Sequence, residues 1–268
     1  MTLIISVLTW GKVFQVSDRR LFNNITGEAE TDYSNKQITL SCQDAAITFS
    51  YTGLAMVGSN QLKTLDWLTN ILNKIDAPAL TVNDIRIQLS AKWKEIISHT
   101  YTHEDLSNIT SSIVMAGFFR IGEPFAIRIH SNKTDEFFQV IIKKKKSKFC
   151  AIVIDGFLPA INKDIRTRIK KLKKIRFFQN STKENGIREL ISLIRATQRG
   201  CYGKYIGTNC LGISIVPHLT LVGNFEIYSD YQGVEFRDFV GPYHTHISEH
   251  LIISSADEEI ENDQSLNI

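Results

Sequence analysis

The first residues with a pattern that could do chemistry stand at the N-terminus, where Thr2 follows Met1. The small side chain of Thr2 would allow an aminopeptidase to remove Met1, and Thr2 would then carry a free α-amino group next to its hydroxyl. An α-amine titrates near ~8, so a useful fraction is neutral at physiological pH and can accept the hydroxyl proton. One residue then supplies both a nucleophile and its base. Many unrelated proteins also begin with Met-Thr, so an ordinary N-terminus is the alternative.

Three further residues stand at predicted strand ends that can bring them to Thr2. Asp18 closes the second strand of a predicted hairpin and should therefore return beside Thr2. Lys36 opens the third predicted strand, and Gly53 closes the fourth. A lysine near the hydroxyl would lower the pKa of the hydroxyl and of the amine, and Asp18 would orient that lysine. The alternative is a surface salt bridge between two strand ends and a turn glycine.

The elements that must position these residues follow from the hydrophobic pattern. β-Branched and apolar runs predict strands, and apolar stripes at helical spacing predict helices. The predicted order is strands at 2–8, 12–17, 37–42 and 45–51, helices at 61–75 and 82–99, strands at 112–119, 125–130, 136–142 and 149–154, helices at 162–175 and 186–198, and strands at 211–216, 219–222 and 225–228. After Pro242 we expect only a short apolar patch and an acidic tail. This order predicts an α+β fold with two antiparallel sheets and a pair of helices on each outer face.

Composition narrows the protein class. Of the 268 residues, 43% are hydrophobic and 22% are charged, which excludes disordered, collagen-like and coiled-coil chains. The four cysteines lie far apart without a CxxC pair, which is typical of cytosolic proteins and gives no zinc or redox motif. No apolar run reaches the ~18 residues of a membrane helix. We therefore expect a soluble, cytoplasmic protein without a cofactor or a membrane partner.

Two stretches near the start, TLIISVLTWGKVFQVSDRR and NKQITLSCQDAAITFSYTGLA, resemble a proteasome β-type subunit of the N-terminal nucleophile (Ntn) hydrolase superfamily. In that pattern a threonine-led strand ends in an acid-Arg-Arg triplet, a lysine precedes an apolar strand, and the next strand ends in Gly-Leu. Later stretches, SIVMAGFFRIGEPFAIRIH and NGIRELISLIRATQR, extend the resemblance over residues 2–216, and uncharacterised bacterial proteasome-like proteins carry a similar IGxxC segment. The resemblance implies a four-layer α-β-β-α sandwich over residues 1–230, followed by a C-terminal extension at 231–268.

The resemblance also implies roles for individual residues. Thr2 takes the place of the nucleophile, Lys36 that of the partner that lowers its pKa, and Asp18 that of the residue that orients the lysine. Gly53 would offer its backbone N–H to an oxyanion. Tyr51 matches the wall of the specificity pocket, although an aromatic residue at a strand end is also typical of a core.

Other positions depart from the family's pattern. Residues 154–156 are Ile-Asp-Gly where the family has a Gly-Ser-Gly turn, and residues 198–201 are Gln-Arg-Gly-Cys where it has an aspartate and a serine. These losses put full peptidase activity in doubt. The following IGxxC segment brings either Thr208 or Cys210 towards the site, or it forms a glycine turn before a buried strand.

Charge and histidine patterns bear on partners. Residues 143–176 contain 13 of the 31 basic residues, and the tail after residue 256 is acidic, so the net charge of +3 is a cancellation between regions. The basic stretch is either a solvated face or a docking surface for an acidic partner, and the absence of interleaved aromatic residues argues against nucleic acid.

The H-x-H-x3-H pattern at 244–250 has few further ligands nearby, so we expect no metal site.

Three functions remain open at this point. The first is an N-terminal threonine hydrolase that cleaves an amide bond, foremost a peptide bond, and assembles as a homo-oligomer as its β-type relatives do. The second is a catalytically silent proteasome-like scaffold or interaction subunit. The third is an Ntn amidase that acts on a small molecule.

Overall fold

The structure is a computed structural model that describes residues 2–22, 29–31, 36–53, 56–57, 62–100, 111–131, 134–139, 150–156, 158, 161–198, 205–217, 224–231, 235–239, 244–246 and 251–254. Its strands are β1 (Leu3–Thr9), β2 (Val13–Asp18), β3 (Leu21–Phe22), β4 (Ala29–Thr31), β5 (Gln37–Ser41), β6 (Ala45–Thr52), β7 (Met56–Val57), β8 (Leu62–Lys63), β9 (Ser112–Phe119), β10 (Pro124–His130), β11 (Glu136–Gln139), β12 (Cys150–Gly156), β13 (Cys210–Val216), β14 (Asn224–Tyr231), β15 (Glu235–Phe239), β16 (His244–His246) and β17 (Leu251–Ser254). Its α-helices are α1 (Thr64–Lys74), α2 (Val82–Thr100), α3 (Lys163–Lys174), α4 (Phe177–Asn180) and α5 (Lys183–Gln198).

The first sheet has its strands in the order β12-β1-β2-β13-β14-β15, and all neighbours are antiparallel. It is built around the predicted hairpin of β1 and β2, which closes in a tight turn where the Thr9 amide donates to the Lys12 carbonyl at 2.9 Å. Ile4 pairs with Ser17, so the start of β1 lies beside the end of β2. We call this end of the first sheet, where β1 begins and β2 ends, the Thr2 end.

The second sheet has its strands in the order β11-β10-β9-β6-β5-β17-β16, again with antiparallel neighbours. Its β5–β6 hairpin turns at Gln43 and Asp44, as the sequence predicts. Lys36 immediately precedes β5. Two short ladders, β3–β4 and β7–β8, stand apart from both sheets.

Helices cover one face of each sheet because their apolar stripes must be buried. α1 and α2 share a buried cluster with the second sheet, in which the ring centroids of Trp67 and Trp93 are 5.1 Å apart. α3, α4 and α5 share another cluster with the first sheet, in which the rings of Phe14 and Phe178 are 6.2 Å apart. Within the described ranges, no helix has the length and hydrophobicity needed to cross a membrane.

The other faces of the two sheets contribute to a third buried cluster, which includes Leu8 and Ile213 from the first sheet and Ala116 from the second. The side chain of Gln15 also bridges the sheets, because its Oε1 accepts a hydrogen bond of 2.7 Å from Ser50 Oγ in the second sheet. The protein is therefore α+β with two antiparallel sheets and several helices, which confirms the predicted fold class at that level.

Some boundaries differ from the sequence prediction for local reasons. The first helix begins at Thr64 instead of residue 61 because Leu62 and Lys63 pair with β7. The last helix begins at Lys183, three residues early, and the Thr182 hydroxyl accepts a hydrogen bond of 3.2 Å from the Asn185 amide in its first turn. A threonine in this position satisfies an amide that has no partner within the helix.

The expectation of little structure after Pro242 is wrong. β16 and β17 follow it, and β17 pairs with β5 in the second sheet. β15 also lies beyond residue 230 and pairs with β14. The division into residues 1–230 and 231–268 remains a prediction, and the strand predicted at 219–222 lies outside the described residues.

Candidate active site

The hairpin geometry brings Asp18 to Thr2, as the sequence predicts. The strands β1 and β2 pair so that the end of β2 returns to the start of β1. The Asp18 carboxylate accepts a hydrogen bond of 2.7 Å from the amide of Leu3, the residue after Thr2. It also accepts hydrogen bonds from the amides of Arg20 at 3.2 Å and Gly207 at 3.1 Å. Three backbone donors therefore hold this buried carboxylate at the Thr2 end.

Lys36 reaches the same point from the second sheet. Its Nζ donates to Thr2 Oγ1 at 2.7 Å and lies 3.6 Å from the Asp18 carboxylate. It also donates to the carbonyl oxygen of Arg20. Thr2, Asp18 and Lys36 are 5%, 0% and 1% exposed, so the three polar side chains form one enclosed group. A surface salt bridge is excluded by this burial.

The electrostatics of the group follow from its burial. Removal from water lowers the pKa of the Lys36 ammonium from its ordinary value of 10.5, and the Asp18 carboxylate opposes that shift. Burial disfavours the charged form of an amine, whereas a nearby carboxylate favours it. Lys36 is therefore a cation that gives up its proton more easily than a lysine on the surface.

Gly53 and Tyr51 have different surroundings at the end of β6. Gly53 follows the strand with a φ of +93°, a conformation that favours glycine. The side chain of Tyr51 is 3% exposed and belongs to the cluster under α1 and α2, on the face of β6 that carries Ile47 and Phe49. Its placement supports the core alternative instead of a pocket wall. The apolar alternation of β6 was the signal in the sequence that could have indicated this.

The two accessory candidates, Thr208 and Cys210, also have different surroundings. Cys210 is fully buried, pairs with Asp18 across the ladder between β13 and β2, and is close enough to Lys36 to affect its pKa. Thr208 is exposed, and its carbonyl oxygen accepts hydrogen bonds from Arg195 Nε and Cys210 Sγ. The IGxxC segment thus brings Cys210 to the group, whereas the Thr208 side chain lies in solvent.

Two glycines in contact with the group were not recognised from the sequence. Gly207 donates its amide to Asp18, and its only signal was its place in the IGxxC segment. Gly156 ends β12 opposite Leu3, with a φ of +92°. A Cβ on Gly156 would lie 1.9 Å from the Thr2 carbonyl oxygen. The position therefore needs glycine both for its backbone conformation and for the close approach to Thr2.

We expect Gly156→Ala to displace Thr2 and to lower the free energy of unfolding by about 3 kcal/mol or more, because a strained φ adds to a backbone clash. Gly122→Ala is the matched control, since Gly122 has a φ of +83° but no atom within 4 Å of an added Cβ. It should lose only about 1 kcal/mol. Urea denaturation measures both values, and equal losses would contradict the contact between Gly156 and Thr2.

No metal site emerges at the described residues. No group of three or more His, Cys, Asp or Glu side chains lies close enough there to hold an ion. Of the histidine pattern, His244 and His246 belong to β16, and His250 lies outside the described residues.

Comparison with known proteins finds similar solved structures but no similar sequence family. No protein-family model matches the chain, and no curated protein matches it. Among solved structures, a mutant of Anbu from Hyphomicrobium sp. strain MC1 matches with a TM-score of 0.54 and 8% identity over 99% of this chain and 94% of that one. Anbu from Yersinia bercovieri, described as an ancestral beta-subunit, matches with a TM-score of 0.53 and 11% identity over 82% of this chain and 83% of that one.

These matches correct the resemblance drawn from the sequence. The assignment to proteasome β-type subunits, with uncharacterised bacterial proteasome-like proteins as nearest relatives, is wrong, because the matching structures are Anbu and no family model supports the assignment. At 8% and 11% identity the likeness concerns the fold alone. The chain therefore shares its overall fold with these Anbu structures.

Proposed function

We propose that the protein is an N-terminal threonine hydrolase that cleaves an amide bond, foremost a peptide bond, through an acyl-enzyme on Thr2. The observation that carries this proposal is the hydrogen bond of 2.7 Å from Lys36 Nζ to Thr2 Oγ1. A buried lysine with a lowered pKa, held by a carboxylate and directed at a hydroxyl near the N-terminus, is the arrangement that activates a weak nucleophile.

In this mechanism Met1 has been removed, and the free α-amine of Thr2 takes the hydroxyl proton. Thr2 Oγ1 forms a bond to the substrate carbonyl carbon, and the charge that develops on the carbonyl oxygen is stabilised by the Gly53 amide. The carbon–nitrogen bond then breaks, and the leaving amine takes the proton from the α-amine. Water hydrolyses the resulting ester with the same amine as base. Lys36 stabilises the alkoxide character of Thr2, and Asp18 orients Lys36.

The same proposal gives the fold its finer form, a four-layer α-β-β-α sandwich. Three buried clusters support it, because one lies under α1 and α2, one lies under the later helices, and one joins the two sheets. We place the Ntn-like domain at residues 1–230 and the extension with the acidic tail at 231–268. The extension is not separate from the sheets, because its strand β17 pairs with β5.

We also propose that the protein is cytoplasmic and assembles as a homo-oligomer, since the Yersinia relative is described as a subunit. An acidic partner would bind the basic stretch at 143–176. In support, α3 has six exposed basic residues that pair with no carboxylate within the described part of the chain: Lys163, Arg166, Lys170, Lys171, Lys173 and Lys174. Lys143 to Lys146 lie outside the described residues.

Two measurements on protein isolated from its own cells test the proposal. Intact mass spectrometry should give a chain that begins at Thr2, because only then does the α-amine belong to the nucleophile. An epoxyketone or β-lactone probe should then label Thr2, as located by peptide mapping. Denatured protein is the control for nonspecific labelling. Retention of Met1, or a processed chain that stays unlabelled, would contradict the hydrolase.

A catalytically silent subunit is the second candidate function. The observation that favours it is at residue 155, where this chain has an aspartate in place of the serine of the Gly-Ser-Gly turn. The Asp155 carboxylate accepts hydrogen bonds from Ser112 and from the Gly156 amide. A processed chain that binds partners but resists both probes would support it. An Ntn amidase that acts on a small molecule shares the Thr2 chemistry, and it would differ by accepting simple amides while it leaves peptides intact.

A further inference from the structure

The groups proposed for catalysis come from different sheets. Asp18 belongs to the first sheet and Thr2 directly precedes its strand β1, whereas Lys36 and Gly53 flank strands of the second. The distance from the nucleophile to the proposed oxyanion donor therefore depends on how the two sheets are held together at the Thr2 end. A displacement of about 1 Å between reacting groups can lower a rate by ~10²-fold.

A chain of polar side chains joins the sheets at this end. Asp155, from β12 in the first sheet, accepts a hydrogen bond from the Ser112 hydroxyl of β9 in the second sheet. The Ser112 Oγ lies 3.1 Å from the Thr52 Oγ1 of β6. Because a serine hydroxyl has one proton, which Ser112 gives to Asp155, Thr52 must donate to Ser112. We call Thr52, Ser112, Asp155 and Arg128 the Asp155 network.

Arg128 completes the network on its other side. Its Nε lies 3.4 Å from the Asp155 carboxylate, and another of its nitrogens donates to the Ile154 carbonyl at 2.7 Å. A third contact, of 2.8 Å, joins it to Glu136. Arg128 thus ties β10 of the second sheet to the end of β12 in the first, with both a charge pair and a hydrogen bond.

Each end of the network touches a backbone segment of the proposed site. Asp155 also accepts a hydrogen bond of 2.8 Å from the amide of Gly156, whose backbone is in close contact with the Thr2 carbonyl. At the other end, Thr52 is the residue before Gly53, and its carbonyl accepts a hydrogen bond of 2.8 Å from Ser111. The network therefore spans from the support of the nucleophile to the strand end that carries the Gly53 amide.

Burial makes these contacts effective constraints. Thr52, Ser112 and Asp155 are 2%, 3% and 9% exposed. Hydrogen bonds to a charged acceptor in such surroundings are stronger than those in water, and an unpaired partner there is costly. The strand ends consequently have few arrangements that satisfy all four side chains.

We propose that the Asp155 network positions Thr2 relative to Gly53, with Asp155 and Ser112 as its central positioning residues. The inference rests on the proposed threonine hydrolase. It assigns these residues no contact with substrate and no part in proton transfer. Their effect is on geometry, so their loss lowers the rate of acylation without changing which groups transfer protons.

The test compares Ser112→Ala with Ser50→Ala in the processed, full-length protein. Ser50 is the matched control because its hydroxyl also donates across the sheets, at 2.7 Å to Gln15 Oε1, and is fully buried. The readout is the inactivation of the protein by an epoxyketone. Ser112→Ala should lower the maximal inactivation rate constant by ~10²-fold, and Ser50→Ala should stay within about two-fold of wild type. Both should lower Tm by similar amounts.

Two further readouts separate positioning from other roles. In Ser112→Ala the probe concentration that gives half the maximal rate should change by less than about two-fold, and the pH profile should keep its shape. Asp155→Asn keeps the size of the side chain and should lose about ten-fold in rate, which covers the case in which Ser112→Ala does not fold.

Labelling of both Ser112→Ala and Asp155→Asn at the wild-type rate would overturn the positioning role alone. A processed wild-type protein that is not labelled would overturn the proposed function and the positioning role with it.

Discussion

Replacing Thr2 by alanine is expected to lower the rate of probe labelling and of amide cleavage by at least ~10³-fold, because the substitution removes the nucleophilic oxygen. The fold should survive, since Thr2 Oγ1 is only an acceptor for Lys36, which still has the Asp18 carboxylate and the Arg20 carbonyl beside it. One lost hydrogen bond to a charged group costs about 2 kcal/mol. Active-site labelling and urea denaturation measure the two effects separately.

Thr2→Ser is the matched control for this substitution. It keeps the hydroxyl and the α-amine, and it loses only the methyl group that fixes the rotamer of the hydroxyl. We expect it to retain activity within about ten-fold of wild type. If Thr2→Ala were labelled as fast as Thr2→Ser, the nucleophile would be another residue, and Cys210, buried beside Asp18, would be the next to examine.

Lys36→Met should abolish acylation and also destabilise the protein, which distinguishes it from Thr2→Ala. The substitution leaves the fully buried Asp18 carboxylate with backbone donors but without its cation. Breaking a buried ion pair from one side costs about 3 kcal/mol. Lys12→Met is the control, because Lys12 donates to the Ser181 carbonyl at the other end of the first hairpin and should leave activity unchanged.

A double-mutant cycle with Asp18→Asn checks that the loss comes from this pair. The double variant should be less destabilised than the sum of the two single variants by about 2 kcal/mol, because no uncompensated charge remains. Its activity should not recover. Additive losses in stability would contradict direct coupling between Asp18 and Lys36.

The pH dependence of stability gives a second signature of Lys36. Its pKa is lowered by burial below the ordinary 10.5, so between the two values the unfolded chain holds a proton that the folded chain has released. The free energy of unfolding should therefore rise with pH through that window, and Lys36 should contribute no slope below it. Lys36→Met should flatten this rise in denaturation curves measured over alkaline pH.

Local patterns in the sequence were sufficient to predict most strands and helices and one contact of the site, that of Asp18 with the start of β1. Runs of β-branched and apolar residues predicted β1 and β2, and a hairpin of two matched strands must return its end to its start. Asp18 therefore had to lie beside Thr2 whatever the rest of the chain did. The apolar stripes of α1 and α2 were equally informative, because burial of one face is a property of the segment itself.

Contacts between distant segments were beyond those patterns. β17 joins β5 in the second sheet although its short apolar run gives no register, since register depends on the partner strand. The alternation of β6 places Tyr51 on the face of Ile47 and Phe49, but only the packing of β6 decides that this face meets α1 and α2. Gly207 reaches Asp18 only because β13 pairs with β2.

The sequence by itself determined an α+β chain with a threonine near its start and with Asp18, Lys36 and Gly53 at strand ends. The tertiary structure decided that Lys36 crosses from the second sheet to within 2.7 Å of the Thr2 hydroxyl. It also decided that Asp155, Ser112 and Arg128, far apart in the chain, hold the two sheets together at that point. The physical reason is that hairpin contacts follow from local chain geometry, whereas contacts between sheets depend on how two complete buried faces pack against each other.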